Sequence, residues 1–217
     1  MSKDNTPRDG LPNMTNTQAI AAIIKCGKRM DARSFGAAND GNISCLVDNG
    51  TIWITASGVS KGHLTPDDVL SISSNPSKDS KISSEYKMHL AIYENNPQAL
   101  AIVHAHPVTA TAFAVCGKPL ELPILPEVIM NLGGVIPVVP YARPGTQELA
   151  DNLIPYAQKY RAVLLQNHGV VCWGRDIWQA YAHMETVEHY ARILLACQAI
   201  GNPHLLTKEQ IEELLPH

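Results

Sequence analysis

The sequence predicts a mixed α/β sheet covered by helices on both faces, built within one domain. Three observations carry this. Strand-like apolar runs alternate with segments of helical spacing, and no fixed period repeats. Asp48-Asn49-Gly50 separates two β-rich runs, and Asn-Gly between alternating segments is the strongest short hairpin signal. At 217 residues the chain can bury a full core without disulfide or metal staples.

Residues 1–15 are polar and rich in Pro, Asp and Asn, which predicts a mobile arm ahead of a single domain over 16–217. From Thr17, the spacing of Ile20, Ile23, Ile24 and Ala32 predicts an amphipathic helix that stops near Gly36. The hairpin follows in GNISCLVDNGTIWITASG. Thr65-Pro66-Asp67-Asp68 combines a capping hydroxyl, a proline suited to the first helical position and two acids that complement the helix dipole, so a short helix is expected there. SSNPSKDSKI, residues 73–82, reads as a loop. A firmer helix is expected from about Ser84 to Tyr93, closing before Asn95, Asn96 and Pro97. Ala101, Ile102 and Val103 form a buried strand, a helix runs through Ala114, and a region punctuated by Pro and Gly leads to a helix from Thr146. A strand to Gln166, a long helix from about Ile177 to Ile200 and a short one from Thr207 complete the chain.

Composition excludes several functions. A net charge of -3 with no basic cluster gives no footprint for nucleic acid or for a membrane surface. No run of eighteen apolar residues could span a bilayer, and the first eighteen residues lack the apolar core of a signal peptide. Cys26, Cys45, Cys116, Cys172 and Cys197 are odd in number, with no Cys-x-x-Cys, and read as reduced thiols of a cytoplasmic protein.

The chemistry concentrates in ALAIVHAHPVTATAF, where His104 and His106 close an apolar run. Residues i and i+2 of a strand share a face, so the two imidazoles project together. His168 caps another apolar run, in AVLLQNHGVVCWG, and precedes Gly169. Three imidazoles are the ligand number of an open catalytic zinc site, which keeps a fourth position for water or substrate. Imidazoles at strand ends serve equally as acids, bases or hydrogen-bonding core groups, and spacing leaves those alternatives standing.

Three polar turns resemble an anion site: Gly41-Asn42-Ile43-Ser44, Thr55-Ala56-Ser57-Gly58 and Ser83-Ser84 ahead of a helix. Unpaired N–H groups at a helix start, with serine hydroxyls beside them, can bind phosphate without a lysine. Each turn also reads simply as the opening or end of an element. Glu85 is either a first-turn acid complementing the dipole or, beside three histidines and a metal, a proton carrier. His89, one turn on, could orient it. On the long helix His183 and His189 are six apart, which disfavours a second metal site, and Trp173 and Trp178 read as packing or contact residues.

Taken in order, GNIS, TASG, SSE, HAH, PYARPGT and QNHG resemble the class II aldolase/adducin family over residues from about 17 to 210, most closely its L-fuculose-phosphate aldolase branch. The resemblance implies a three-layer αβα fold with a largely antiparallel central sheet. It implies one zinc ion per subunit on His104, His106 and His168, with Glu85 as acid/base. Asn42, Ser57, Gly58, Ser83 and Ser84 would receive the substrate's phosphate. A cyclic homotetramer with sites between neighbouring subunits is implied as well. Two departures stand out. Glu127, in LPEV, falls where the fuculose branch carries an active-site tyrosine and looks more like the acid of the methylthioribulose-phosphate dehydratase branch, so it is a second candidate catalytic residue. The sequence also reaches His217 without that branch's C-terminal tyrosine.

The implied function is a zinc-dependent class II aldolase, an aldehyde-lyase cleaving a short ketose 1-phosphate such as L-fuculose 1-phosphate reversibly to dihydroxyacetone phosphate and an aldehyde. The alternative is a related zinc-dependent dehydratase, decarboxylase or 4-epimerase of a phosphorylated sugar. A third reading, a non-catalytic adducin-like interaction module, gives no physical reason to keep three histidines beside a carboxylate.

Overall fold

The structure, a computed structural model, describes residues 14–72 and 81–215. Residues 1–13 of the expected arm, residues 73–80 of the expected loop and the last two residues lie outside the described residues. Thr15 belongs to no arm. It caps helix α1 (Asn16–Ala32), accepting the Gln18 N–H on its hydroxyl at 3.3 Å while its own N–H donates to the Gln18 side chain at 2.9 Å. The helix stops four residues before Gly36, because Ser34 turns into the left-handed region with φ 55°. Its buried face is Ala19, Ile23, Cys26 and Met30; the expected Ala32 is exposed.

Strands β1 (Asn42–Leu46) and β2 (Ile52–Thr55) form the expected hairpin, with Leu46 opposite Ile52. Its turn closes through Val47 N–H to Thr51 O at 3.0 Å, with Gly50 at φ +80°, the left-handed position that favours glycine in a three-residue loop. The helix expected from Thr65 is only a 3-10 turn, Pro66–Asp68. Asp68 accepts the Thr65 N–H at 2.9 Å as a cap should, but the chain then extends into β3 (Val69–Ser71), where Val69 pairs with Thr55. Sheet pairing overrides the local helix signal.

Next come α2 (Tyr86–Asn95), β4 (Ala101–Ala105), α3 (Val108–Val115), α4 (Pro126–Leu132), β5 (Val138–Val139) and α5 (Gln147–Ala157). The chain closes with β6 (Ala162–Leu165), β7 (Gly169–Gly174), α6 (Ile177–Ile200) and α7 (Lys208–Leu214). α4 and β5 fall in the region read only as punctuated by Pro and Gly. The seven strands lie in the order β3-β2-β1-β4-β7-β6-β5, antiparallel except for β5 with β6, so the sheet is mixed and largely antiparallel as expected.

Helices cover both faces, giving three layers. Ala101, Val103 and Ala105 of β4 face a core shared with α1, α3, α4 and α6, whereas Ile102 faces a second core shared with α2 and α5. The central strands are therefore buried on both sides, which explains their unbroken apolar runs. The five cysteines form no disulfide, and no described helix is long and apolar enough to cross a membrane.

Candidate metal centre

The alternation of β4 decides where His104 points. It shares the parity of Ile102 and faces the α2 layer, buried and directly opposite Asn42 of β1. His106 lies just beyond the strand, its N–H tied to Phe35 O at 2.8 Å. His168 sits in the tight connection between β6 and β7, held by its N–H to Leu165 O at 3.0 Å after Asn167 at φ 57°. The glycine that follows is a steric requirement. A Cβ on Gly169 would stand 2.4 Å from His106 Cδ2 and 2.6 Å from Ala105 O.

Each of the three imidazoles offers a ring nitrogen, and these atoms all lie within 4.8 Å of one another. Among the described residues no other group of three His, Cys, Asp or Glu is so placed. His104 Nδ1 donates to Val170 O at 2.8 Å and His106 Nδ1 faces Asp40 Oδ2 at 3.3 Å. Those acceptors carry no proton, so in the neutral rings both Nε2 atoms present lone pairs, 3.1 Å apart. Two lone pairs that close call for a cation or a proton between them. Carboxylate and carbonyl partners on the far nitrogen are also what orients metal-binding histidines. The residues therefore fit a metal ion.

Glu85 closes the cluster. It occupies the N-cap position of α2 yet makes no capping hydrogen bond, its carboxylate turned instead to Asn42, His104 and His168. Its Oε2 accepts the Asn42 Nδ2–H at 2.8 Å and lies 3.2 Å from His104 Nε2. Its Oε1 lies 3.5 Å from His168 Nε2 and is buried without a hydrogen-bond partner, as is His168 Nδ1. Burial raises the Glu85 pKa, but His104, His168 and the Asn42 amide outweigh it and hold the carboxyl well below the ordinary range. Burial lowers His104, but Glu85, the Val170 carbonyl and Asp40 together bring it above the usual imidazole value. His168 falls to about 3 and His106 is lowered too, each first through burial and then through repulsion from His104.

The polar turns gather beside Glu85. An isolated bridge between Ala56 and Ile82 lays the segment after β2 along the one before α2, so Ser57, Gly58, Ser83 and Ser84 lie on neighbouring backbones. Ser57, Gly58 and Ser84 are exposed; Ser83 is buried, its hydroxyl accepting the Glu85 N–H at 3.3 Å. Asn42, expected to meet phosphate, is 3% exposed, with its amide engaged at both ends, by Glu85 and by His89. Glu127 is not brought to the histidines. It begins α4, exposed, and lines a cavity of about 530 Å³ with Arg33, His189 and Arg192 that includes neither Glu85 nor the three histidines.

Sequence reasoning missed Asp40, which has no signal beyond preceding Gly41, and Glu188. The latter, buried on α6, accepts the N–H groups of Thr109 and Ala110 at 3.3 and 2.9 Å. It supplies the start of α3 with the cap that Pro107 cannot give, and so steadies the chain just after His106. His183 is a structural residue, donating its Nδ1–H to Trp173 O at 2.8 Å.

Known proteins bear on this geometry. Residues 21–195 match the family described as Class II Aldolase and Adducin N-terminal domain. The chain is 35% identical over 206 residues to a 3-oxo-tetronate 4-phosphate decarboxylase of Pectobacterium atrosepticum, covering 91% of this chain and 92% of that protein. It is 35% identical over 176 residues to an L-fuculose phosphate aldolase of Methanococcus maripaludis, covering 80% and 94%. A solved L-fuculose 1-phosphate aldolase superposes with a TM-score of 0.83 at 30% identity, covering 93% of this chain and 96% of that one.

Proposed function

The chain belongs to the class II aldolase and adducin family, and from that premise we propose that it is a zinc-dependent decarboxylase of a phosphorylated 3-oxo sugar acid. The carrying observation is the convergence of His104, His106 and His168 on Glu85, whose Oε1 has no hydrogen-bond partner. The choice of decarboxylation over the expected aldol cleavage is supported by similarity to 3-oxo-tetronate 4-phosphate decarboxylases along nearly the whole chain.

The three imidazoles would hold zinc, which when bound supplies a Lewis acid for the substrate's keto oxygen. A carboxylate one carbon from a ketone leaves as carbon dioxide. The C1–C2 bond breaks, its electron pair passes to the enediolate over C2 and C3, and a proton on C2 completes dihydroxyacetone phosphate. Glu85 Oε1 would deliver that proton, drawn from solvent. Ser57, Gly58, Ser83 and Ser84 would receive the phosphate through hydroxyls and the N–H groups ahead of α2. Asn42, with its amide occupied, serves Glu85 instead. The reading includes a cytoplasmic homotetramer, in which the exposed Glu127 would meet a neighbouring subunit.

One observation favours aldol cleavage as the second reading. Glu85 is ionised at neutral pH, and a resting carboxylate can take the hydroxyl proton of a ketose 1-phosphate and return it to carbon with no net proton uptake. A substrate panel separates the two. Dihydroxyacetone phosphate from 3-oxo-tetronate 4-phosphate, with none from fuculose, rhamnulose or ribulose 1-phosphates, is the expected pattern. The reverse pattern would make the protein an aldolase.

A further inference from the structure

Behind Glu85 runs a buried chain of hydrogen bonds that no part of the reaction uses directly. Asn42 Nδ2 reaches Glu85 Oε2 at 2.8 Å, and Asn42 Oδ1 meets His89 Nε2 at 2.5 Å. On the other side of the ring, His89 Nδ1 meets Ser44 Oγ at 2.6 Å, and Ser44 Oγ meets Tyr93 Oη at 2.7 Å. His89 and Ser44 are fully buried.

The direction of every proton follows from the ionised end. A carboxylate only accepts, so Asn42 must present its NH2 to Glu85 and its oxygen to His89. An amide oxygen only accepts, so His89 carries its proton on Nε2. In a neutral ring Nδ1 is then bare and takes the Ser44 hydroxyl proton, which leaves Ser44 to accept from Tyr93. Burial keeps the ring neutral, its pKa brought down to about 3 chiefly by desolvation. No member can reverse alone without setting two donors or two acceptors against each other.

We propose that His89, fixed as the Nε2–H tautomer by Ser44 and Tyr93, is a positioning residue that locks the Asn42 amide and thereby ties down Oε2 of Glu85, leaving Oε1 as the oxygen that handles protons. This rests on the assignment of Glu85 as the acid/base. An unanchored Asn42 could turn its oxygen toward the carboxylate, and Glu85 would lose the amide donor now 2.8 Å from its Oε2. The position of the reacting carboxylate is then set two residues away from it.

The test has an arm that needs no substrate. Nitrogen-15 NMR of protein labelled at histidine, with the His89 signals assigned by their loss in His89→Gln, should show Nε2 protonated and Nδ1 bare. A protonated Nδ1 would overturn the proposal whatever reaction the enzyme performs. The kinetic arm uses whichever substrate the panel identifies. His89→Leu should lower kcat by about ten- to a hundredfold, the loss of one hydrogen bond to a charged group, with KM little changed. His89→Gln, which offers an N–H at a similar reach, should recover much of that loss. The double variant Asn42→Ala with His89→Leu should be no slower than Asn42→Ala alone. Multiplying losses, or a rise in KM with kcat unchanged, would mean that His89 acts only as core. Melting curves and zinc content of each variant separate a folding defect from misplacement of Glu85.

Discussion

Glu85 Oε2 lies 3.2 Å from His104 Nε2, and the two groups push each other's titration in opposite directions. His104, its pKa raised, stabilises the metal-free protein below its unfolded pKa and loses that contribution as pH rises through the folded value. Glu85, its pKa depressed, stabilises above its unfolded value and loses the contribution as pH falls through the folded one. A proton held on His104 in the metal-free protein thus stands in the place of a cation.

Zinc must displace that proton. His168 and His106, both lowered, give up their protons more readily than His104, so zinc affinity should weaken first as pH falls through the His104 titration, with release nearer one proton per ion than three in that range. Only at lower pH, where further imidazoles protonate, should the slope approach three. Calorimetry in buffers of different ionisation enthalpy measures the proton count.

Acid lability should come from buried imidazoles that the fold keeps neutral. His89 and His168 fall from 6.5 to about 3, so as pH drops through that window the unfolded chain binds protons that the folded chain refuses. Chelated protein should lose stability steadily over this range in urea unfolding, and His89→Gln should flatten the loss.

Much of this architecture was legible in the sequence. The parity of His104 and His106 after an apolar run, the Asn-Gly turn and the borders of α6 all follow from local geometry that the fold leaves intact. β3 and β5 were not legible, since strands of three and two residues exist only because a neighbour pairs with them. The roles of Asp40, Asn42 and Glu188 likewise depend on partners 66, 43 and 78 residues distant in the chain, which no local pattern encodes. Glu127 lies within its own subunit on a cavity apart from the histidines, so a role at the metal would have to come from a neighbouring subunit, which no sequence pattern encodes.

Glu85→Gln should cost about 10²–10⁴-fold in turnover, the usual contribution of a positioned acid/base. Zinc content should persist, because the three imidazoles remain. Unchanged turnover in a zinc-loaded variant would remove Glu85 from the chemistry.

Gly169→Ala sets a methyl against His106 and the Ala105 carbonyl at distances that neither can keep. The overpacking should destabilise by about 1–3 kcal/mol and displace an imidazole. Thermal melts and competition with a zinc indicator should both report it.

Glu188→Ala strips two N–H groups from their acceptor at the start of α3 and should cost about 1–3 kcal/mol in chemical unfolding. Glu188→Gln, which keeps an oxygen acceptor, should recover part of it.

The most direct test follows one carbon. The chelated protein is mixed with 3-oxo-tetronate 4-phosphate labelled with carbon-13 at C1, and zinc is then added while the sample is watched by NMR. The label should stay in the substrate until zinc arrives and then leave as carbon dioxide and bicarbonate, with unlabelled dihydroxyacetone phosphate left behind. Full release in excess chelator would contradict the metal centre, and label retained in a cleaved or dehydrated product would contradict decarboxylation.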